Sequence, residues 1–348
     1  MLRKLLLALL VLVALLALGA VAAFKGLTTR METPYRGTGS AAVFVDVEPG
    51  DSAPVIARRL TGAGVVPDAW TFRLAVWQSG SAQSLQAGEY EFAVPLSPLQ
   101  VVDKIARGDV VLRTITFPEG LTIKEMADVF DQSSFGSGDE FIAQAGRAEL
   151  VRDLDAEVVN LEGYLFPETY SLPRDARASD LVEAMVAQFR RNFDDTLRQE
   201  TARQGRTVRD VVTLASLIQK ESGNETEYAL VSAVYHNRLR IGMGLQCDPT
   251  VIYALELDGL YDGNLTRDNL QYDSPYNTYR YPGLPPGPIA AAGRAVLEAA
   301  LRPADATYLY FVSRNDGSHE FANTLREHNR NVRKWQVEFF RARGRSQE

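Results

Sequence analysis

The N-terminus of the chain carries a long, uninterrupted apolar run. It extends from Leu5 to Phe24, directly after the basic residues Arg3 and Lys4. A helix of this length spans roughly 30 Å, which is the thickness of a bilayer core. The run therefore predicts a single transmembrane anchor at residues 1–24, with its basic end in the cytoplasm. A cleaved signal peptide is the alternative, although its apolar region is usually only about 7–15 residues long.

Strand and helix patterns follow the apolar run. Residues 25–42 are polar and contain many Gly, Ser and Thr residues, so they predict a linker. Residues 43–47 (VFVDV) predict a strand, which a turn and an amphipathic helix follow. The segment 114–130 repeats this order of strand, turn and helix. We interpret residues 43–155 as two related βα units, and a chance similarity of two short segments is the alternative.

The remainder of the chain, residues 156–348, has a different pattern. Helical periodicity predicts helices at 178–200, 207–221 and 227–240. Residues 242–288 are rich in Pro, Gly and Tyr and predict an irregular segment. A strand, an Asp-Gly turn and a second strand predict a hairpin, before a final helix from about Thr324. Because helices and short strands are segregated rather than alternating, the predicted fold class is α+β.

One predicted helix places a carboxylate on its apolar face. Thr207 and Asp210 have the spacing of a capping box at its start. Three apolar side chains share a face with Glu221 at helical spacing: Leu214, Leu217 and Ile218. A carboxylate that faces a core must be paired, neutral or functional. Glu221 is therefore either a satisfied structural residue or a functional one.

Composition excludes some classes of function. The chain has 348 residues, which suits two domains better than one core. Its formal charge of −7 argues against a general nucleic-acid-binding protein. The single cysteine, Cys247, forms no intramolecular disulfide, and three scattered His residues give no metal-ligand spacing.

The irregular segment carries side chains that suit a sugar polymer. They are Gln246, Asp248, Tyr276, Asn277, Thr278, Tyr279 and Tyr281. Aromatic rings stack on the apolar faces of pyranose rings, and amides hydrogen-bond their hydroxyls. Long loops of this kind are usually functional, so the segment predicts a substrate groove. An ordinary surface loop is the alternative.

A glycan substrate gives Glu221 a chemical role. Burial raises the pKa of a carboxyl group, as an acid that protonates a glycosidic oxygen requires. A hydrolase adds a second carboxylate, for which the candidates are Glu162, Glu168, Glu225, Asp248 and Asp273. A lytic transglycosylase needs none, because the C6 hydroxyl of muramic acid attacks C1 and one Glu serves first as acid and then as base. Residue patterns alone leave this choice open.

Six ordered motifs give the chain a family resemblance. They are EGYLFPETY, LASLIQKES, NRLRIGMGLQCDPTVIY, SPYNTY, GLPPGPI, and YLYFV followed by His319, Phe321, Thr324 and His328-Asn329. Together they resemble the endolytic murein transglycosylases of the MltG (YceG-like) family over nearly the whole chain. The resemblance implies a single N-terminal transmembrane helix, a LysM-like region at 43–155 and a YceG-like catalytic domain at 156–348.

The resemblance also implies the catalytic residue and the reaction. The family's catalytic Glu lies in a Glu-Ser/Thr pair at the end of the LAS-containing helix, which here is Glu221-Ser222. Many members have another Glu two positions earlier, where this chain has Gln219. The implied reaction is cleavage of nascent peptidoglycan glycan strands at MurNAc–GlcNAc bonds, which leaves 1,6-anhydroMurNAc ends and requires no cofactor.

The implied location is the bacterial inner membrane, crossed once, with the catalytic domain in the periplasm. The implied partners are glycan strands and a peptidoglycan synthase or penicillin-binding protein complex. A muramidase-type hydrolase and a non-catalytic peptidoglycan-binding scaffold are the alternative functions.

The expected substrate-binding residues are Gln246, Asp248, Tyr276, Asn277, Tyr279, Glu162, Glu168 and His319. For Glu162 and Glu168, the alternative is that they hold in place the aromatic loop at residues 161–173, in which they lie. For His319 and His328, a structural hydrogen bond is the alternative. We interpret His236 as structural and Cys247 as incidental.

Overall fold

The computed structural model describes residues 2–37 and 41–341. The helices in these residues are α1 (Leu2–Glu32), α2 (Ala53–Gly62), α3 (Ala69–Ser79), α4 (Pro98–Ala106), α5 (Ile123–Asp131), α6 (Gly138–Ala145), α7 (Ala178–Asn192), α8 (Asp195–Arg203), α9 (Val208–Glu221), α10 (Tyr228–Arg240), α11 (Asp248–Leu257), α12 (Arg294–Leu301) and α13 (Leu325–Val332). The strands are β1 (Val43–Val47), β2 (Gly88–Phe92), β3 (Leu112–Thr116), β4 (Thr169–Pro173), β5 (Tyr310–Ser313) and β6 (His319–Ala322). They pair as three two-stranded sheets, β1–β2, β3–β4 and β5–β6. The predicted α+β class is confirmed.

The chain divides into two compact units. Unit 1 contains Met1–Arg113 and Ser171–Asp175, and unit 2 contains Thr114–Tyr170 and Ala176–Glu348. This division differs from the predicted boundary at 155/156. Helix α5 packs on α6 and α6 packs on α7, so the segment 114–155 belongs with the C-terminal helices. The assignment of a LysM-like region stays a prediction.

Helix α1 is longer than the predicted anchor. Residues 25–32, predicted as part of a linker, continue the helix to Glu32. Met31 is only 3% exposed within the core of unit 1, and Arg30 forms an ion pair with Asp68 at 2.6 Å. These contacts fix the last turns of the helix, which explains why polar residues there do not form a loop. Residues 38–40 of the predicted linker lie outside the described residues.

Helix α1 contains a segment with the composition of a membrane span. The segment Leu9–Glu32 is long and apolar enough to cross a bilayer, with a mean hydropathy of 2.4. By length and composition, one helix of the described chain could therefore be a transmembrane helix.

Unit 1 contains the predicted strand and helices. Strands β1 and β2 pair antiparallel, with Val45 opposite Tyr90, and helices α2, α3 and α4 supply most of the surrounding core. Ser97 caps α4 by accepting a hydrogen bond from the backbone of Gln100, whose side chain accepts one from Ser97 in return. This reciprocal cap satisfies two backbone donors that a helix start otherwise leaves free.

The long helix predicted at 178–200 is two helices. Helix α7 ends at Asn192, and Phe193 leaves the helical conformation with a ψ of 64°. Asp194 then starts α8 by accepting hydrogen bonds from the backbone of Thr196 and Leu197. The ring of Phe193 is fully buried and stacks on Phe189 at 5.7 Å. Burial of this ring and the hydrogen bonds of the Asp194 cap together stabilise two separate helices more than one continuous helix would be stabilised.

Helix α9 lies in the core of unit 2. Its start is the predicted capping box of Thr207 and Asp210, and the predicted apolar face of Leu214, Leu217 and Ile218 is fully buried. It packs against α10, α11 and α12. Its last residue is Glu221, after which Ser222 adopts an extended conformation.

The segment predicted as irregular contains a helix. Helix α11 occupies Asp248–Leu257, with Pro249 in its first turn. A proline in the first turn removes no helical hydrogen bond, so it begins the helix rather than breaking it. The prediction of irregular structure was therefore wrong for these residues.

The predicted C-terminal hairpin and helix are confirmed. Strands β5 and β6 pair antiparallel, with Ser313 opposite His319, and Asn315 adopts a left-handed φ of 65° in the turn. Thr324 caps α13, which continues as a π-helical turn at Arg333–Glu338.

Candidate active site

The carboxyl group of Glu221 lies at the C-terminal end of α9, among side chains from three other elements of unit 2. The residue as a whole is partly exposed. Its carboxyl group is buried, and this burial raises the pKa of the group. Three neighbours lower the pKa of Glu221: the Cys247 thiol, the Tyr235 hydroxyl and His319. The negative charge of Asp248 raises it further. A raised pKa keeps a proton on the group toward neutral pH, as a general acid needs.

Two fully buried side chains face Glu221 from the protein interior. Tyr235 on α10 is 1% exposed and Cys247 is 0% exposed. The Tyr235 hydroxyl makes no hydrogen bond of ordinary geometry with the described residues. Burial, Cys247 and Glu221 raise the pKa of Tyr235 well above its usual value, and burial and Glu221 do the same for the Cys247 thiol. Both groups therefore stay protonated and present hydrogen-bond donors to the carboxyl group.

The position of Cys247 corrects an interpretation from the sequence. Cys247 was interpreted as incidental, but its thiol borders the candidate catalytic acid. Sequence reasoning also missed Tyr235, because a tyrosine on a helix that is largely apolar carries no pattern that marks it as functional. Only the packing of α10 against α9 brings it to Glu221.

Asp248 and Tyr279 form the more exposed side of the site. The Tyr279 hydroxyl donates a hydrogen bond to Oδ1 of Asp248, the first residue of α11. Burial and this bond to Asp248 raise the pKa of Tyr279, and Glu221 contributes in the same direction. Asp248 is exposed and Tyr279 is partly exposed, so these two predicted substrate-binding residues lie beside Glu221 at the surface.

The loop at 274–281 is hydrogen-bonded to the residues that precede α11. Thr278 is buried, and its Oγ1 accepts a hydrogen bond from the backbone N–H of Cys247 at 2.9 Å. The Thr278 carbonyl accepts from the backbone of Gln246, which has a left-handed φ of 49° and an exposed side chain. A non-glycine residue in this conformation is held by its surroundings and often lies at a functional site.

Asn277 has a structural position rather than the predicted place in the groove. It is 0% exposed. Its amide hydrogens are donated to the carbonyls of Leu270 and Tyr272, and its own carbonyl accepts from the backbone of Tyr279. All of its polar atoms are used within the protein, so Asn277 shapes the loop that carries Tyr279.

Glu162 lines a separate cavity of unit 2, and Tyr276 packs against Tyr253, another of its lining residues. The buried Glu162 carboxylate accepts hydrogen bonds from the backbone of Ile123 at 3.2 Å and from the Tyr253 hydroxyl at 3.3 Å. Burial raises the pKa of Glu162 to about 7. The rings of Tyr253 and Tyr276 lie 5.0 Å apart. The cavity has a volume of about 260 Å³ and also has Lys124 among its lining residues.

Glu168 lies apart from both of these sites. It is exposed directly before β4, where its carboxylate accepts a hydrogen bond from the side chain of Gln188 on α7. The backbone carbonyl of Glu168 accepts from Phe117 at 3.0 Å. In this structure Glu168 helps to hold the aromatic loop, which was the alternative to substrate binding.

The three histidines occupy different environments. His319 on β6 makes hydrogen bonds to Glu227 through both its backbone N–H and its Nδ1. His236 accepts at Nδ1 from Arg206 and donates from Nε2 to the Ala300 carbonyl, each at 2.9 Å, which gives it a structural role. His328 stacks on Tyr310, with ring centroids 5.2 Å apart, and its Nδ1 is buried without a partner among the described residues.

Gln219, two positions before Glu221 on α9, has a structural partner. Its Oε1 accepts a hydrogen bond from the backbone N–H of Gly293, the residue that precedes α12, at 3.1 Å. Glu221 is the last residue of α9, and its carboxyl group lies at the site. Within the described residues, no group of three or more His, Cys, Asp or Glu side chains could hold a metal ion.

Comparisons with known proteins identify the family of the chain. Residues 45–334 match the YceG-like family. A protein of Bacillus subtilis named endolytic murein transglycosylase is 32% identical over 318 residues, which cover 87% of each chain. A protein of Streptococcus pneumoniae with the same name is 27% identical, and the match covers 93% of this chain and 63% of the relative.

A solved structure has the same fold. The crystal structure of a yceG-like protein from Listeria monocytogenes superposes with a TM-score of 0.57 at 31% sequence identity, and the match covers 84% of this chain and 99% of the other. With the family match over most of its length, this chain belongs to the YceG-like family.

Proposed function

We propose that this protein is a membrane-anchored lytic transglycosylase that cleaves nascent peptidoglycan glycan strands at MurNAc–GlcNAc bonds and leaves 1,6-anhydroMurNAc ends. The curated relatives named endolytic murein transglycosylases support the reaction class. The observation that carries the proposal for this chain is the place of Glu221. It ends a buried helix, its pKa is raised by burial, and it borders an exposed Asp248–Tyr279 pair where a strand can bind.

Glu221 acts first as the acid. Its proton passes to the glycosidic oxygen as the bond from C1 to that oxygen breaks, and the leaving sugar departs with a hydroxyl group. The buried carboxylate that results then receives hydrogen bonds from the Tyr235 hydroxyl and the Cys247 thiol, which face it from the interior.

Glu221 acts next as the base. The C6 hydroxyl oxygen of the MurNAc residue bonds to C1, and its proton passes to the Glu221 carboxylate. The carboxyl group returns to its protonated form, no water is consumed, and the product carries a 1,6-anhydro ring. This sequence needs a single carboxyl group whose surroundings tolerate both protonation states.

Several of the predicted residues form the binding surface in this proposal. Gln246, Asp248 and Tyr279 contact the sugars next to the bond that is cleaved, because they are exposed or partly exposed beside Glu221. Glu162 and Tyr253 line their own cavity of about 260 Å³, and the Tyr276 ring packs against Tyr253. We assign this cavity to a more distant part of the substrate. Asn277 and Glu168 support the loops instead.

Helix α1 anchors the enzyme in the inner membrane in this proposal. Its apolar segment is long enough to span a bilayer, and Arg3 and Lys4 at its start favour a cytoplasmic N-terminus. The catalytic unit then lies in the periplasm, where new glycan strands are made. A peptidoglycan synthase or penicillin-binding protein complex is the proposed partner.

The LysM-like region predicted at residues 43–155 is proposed to hold glycan, and its residues 43–113 lie in unit 1. Unit 1 has an open cleft of about 650 Å³. Its lining includes the apolar residues Val94, Leu96 and Leu112 and the charged residues Lys104 and Arg107. Apolar and hydrogen-bonding groups side by side suit a sugar strand.

A muramidase-type hydrolase is the second candidate function. The observation in its favour is the place of Asp248. Among the candidate second carboxylates, it is the one whose charge raises the pKa of Glu221. A hydrolase adds water and gives reducing ends, so its products are one water heavier than anhydro products. A non-catalytic scaffold would need no acid at this position, and retention of Glu221 argues against it.

A product spectrum tests the proposed function. Full-length protein in detergent is incubated with uncrosslinked glycan strands, and the soluble fragments are analysed by mass spectrometry. Anhydro-terminated fragments are expected from the native protein and not from Glu221→Gln. Reducing ends would favour the hydrolase, and the absence of cleavage would favour the scaffold.

A further inference from the structure

Two of the three tryptophans of the chain are exposed on one face of α3. Trp70 is 54% exposed and Trp77 is 79% exposed. Because they are seven residues apart, they lie on the same side of the helix, about two turns from each other. Arg73 follows Trp70 at i+3, lies between the two rings and is also exposed. These three residues form what we name the tryptophan face of α3.

The opposite side of α3 is buried in the core of unit 1. Phe72, Ala75 and Val76 are almost completely inaccessible to solvent there. The hydrophobic core therefore does not use the tryptophan face. A single exposed apolar side chain is normal on a protein surface, but large apolar side chains that gather on one face indicate an interaction surface.

Arg73 adds an unpaired positive charge to the tryptophan face. Its guanidinium makes no ion pair and no hydrogen bond with the part of the chain that the structure describes. A guanidinium binds phosphate oxygens through two parallel hydrogen bonds. Tryptophan and arginine together are typical of helices that lie in the interface between lipid and water.

The start of α3 is joined directly to the end of α1. Asp68 caps α3 by accepting a hydrogen bond from the backbone of Thr71 at 2.8 Å, and its second carboxylate oxygen pairs with Arg30 of α1 at 2.6 Å. The two helices also pack against each other, and Met31 lies in the same core as Phe72. Helix α3 is thus held beside the end of α1 within one compact unit.

The distance along α1 places this junction at the surface of the proposed bilayer. The apolar run ends at Phe24 and Arg30 follows six residues later, which is about 9 Å along a helix. The polar headgroup layer on each side of the hydrocarbon core is about 5–8 Å thick. Asp68, the partner of Arg30, is therefore at the outer edge of this layer, and Trp70 follows it by two residues. Tryptophan is enriched at this level in membrane proteins.

We propose that the tryptophan face of α3 binds the lipid surface on the side of the membrane where α1 emerges. This inference rests on the proposed membrane anchor. The two indole rings lie among the lipid headgroups, with their apolar parts toward the acyl chains, and Arg73 binds lipid phosphates. This contact is a second attachment to the bilayer, which holds unit 1 against the membrane in addition to α1.

Tryptophan fluorescence of the full-length chain tests the proposal, in vesicles of phosphatidylethanolamine and phosphatidylglycerol. One variant keeps Trp70 alone (Trp77→Phe with Trp335→Phe), and a second keeps Trp77 alone (Trp70→Phe with Trp335→Phe). The matched control keeps Trp335 alone (Trp70→Phe with Trp77→Phe). Trp335 belongs to unit 2, where its Nε1 donates a hydrogen bond to Glu320 at 2.9 Å. Flotation with the vesicles is measured first for every variant.

Each variant is then compared in plain vesicles and in vesicles whose acyl chains carry bromine, which quenches indole emission on contact. The variants that keep Trp70 or Trp77 are expected to lose emission when the bromine is near the headgroups. They should lose less when it is near the bilayer centre. The control that keeps Trp335 should emit equally in all three. The native chain is measured beside them, so a variant that fails to fold leaves the test intact.

Equal emission in plain and brominated vesicles, from a chain that floats with them, would overturn this inference while the proposed anchor stands. Aqueous iodide would then show whether solvent or a second copy of the chain covers the rings. Quenching of only one of Trp70 and Trp77 would also overturn it, because the proposed face requires both. So would equal quenching of the Trp335 control, which would make the lipid contact non-specific. A chain that does not float with the vesicles would contradict the proposed anchor itself.

Discussion

The Tyr279 hydroxyl donates a hydrogen bond to Oδ1 of Asp248, and this bond joins the loop at 274–281 to the first turn of α11 beside Glu221. It fixes two of the predicted substrate-binding residues relative to each other. It also takes up part of the hydrogen-bonding capacity of a carboxylate whose negative charge raises the pKa of Glu221.

Replacement of Tyr279 by Phe tests this relationship. The ring and its packing are kept, but Asp248 loses its donor and is free to turn toward other partners. We expect kcat for release of anhydro product to fall about tenfold, which corresponds to about 1.4 kcal/mol of transition-state stabilisation. Tyr281→Phe is the matched control, because the Tyr281 hydroxyl makes a similar bond to Asp273 on the exposed surface. Equal losses in the two variants would contradict a specific role for Tyr279.

The buried Glu162 makes a prediction about stability and pH. Its pKa is raised by burial from 4.5 to about 7, so the folded protein binds a proton at Glu162 that the unfolded chain releases above about pH 4.5. Its contribution to the free energy of unfolding therefore falls as the pH rises from about 4.5 to 7 and stays constant above that.

Glu162→Gln removes this pH dependence. The variant should gain stability relative to the native protein as the pH rises across that interval, by up to about 3 kcal/mol. Urea unfolding at pH 5 and at pH 8 measures the difference, with the exposed Glu168→Gln as control. A difference between native and variant protein that is the same at both pH values would contradict the assigned burial of this carboxyl group.

Local patterns predicted the parts of the fold that depend on nearby residues. The capping box of Thr207 and Asp210, the buried face of α9 and the C-terminal hairpin were all readable from short sequence spacings. The same patterns predicted Glu221 on an apolar face, because a helical face requires only the positions at i, i+3, i+4 and i+7.

Features that depend on distant contacts could not be predicted in this way. The break at Phe193 follows from burial of its ring in the tertiary structure, and α11 was hidden because prolines near it were interpreted as loop residues. Tyr235 and Cys247 reach the site through packing of separate elements. Nothing in their immediate sequence marks them, so their place became known only from the three-dimensional arrangement.

The apolar part of α1 makes a prediction about the membrane. Native protein should stay with the membrane fraction after carbonate extraction. Leu12→Arg with Leu16→Arg should release it, because each arginine near the centre of a span costs about 2.5–3.5 kcal/mol. Both leucines are more than half exposed in the structure, so the changes disturb no packing. Leu12→Ile with Leu16→Ile is the control, and recovery of a soluble native protein that begins after Ala22 would contradict the anchor.

The cleft of unit 1 makes a prediction about binding to the cell wall. Val94 and Leu112 line it and are 61% and 52% exposed. Val94→Asp with Leu112→Asp should reduce co-sedimentation with purified sacculi, while cleavage of short soluble strands continues at the native rate. Val159→Asp, at an 80% exposed position in unit 2, is the control. Unchanged sedimentation of the double variant would make this region structural rather than glycan-holding.

The most direct test of the central claim is the product spectrum of Glu221→Gln, measured on glycan strands beside the native protein. Glutamine keeps the shape of the side chain but cannot transfer the proton, and loss of acid–base catalysis typically costs about 10²–10⁴-fold. The variant should melt at or above the native temperature, since a neutral amide is easier to bury than a carboxylate. It should bind strands and release almost no 1,6-anhydroMurNAc product. Near-normal release by this variant, with Asp248→Asn or Glu162→Gln inactive instead, would contradict the assignment of Glu221 as the catalytic acid and base.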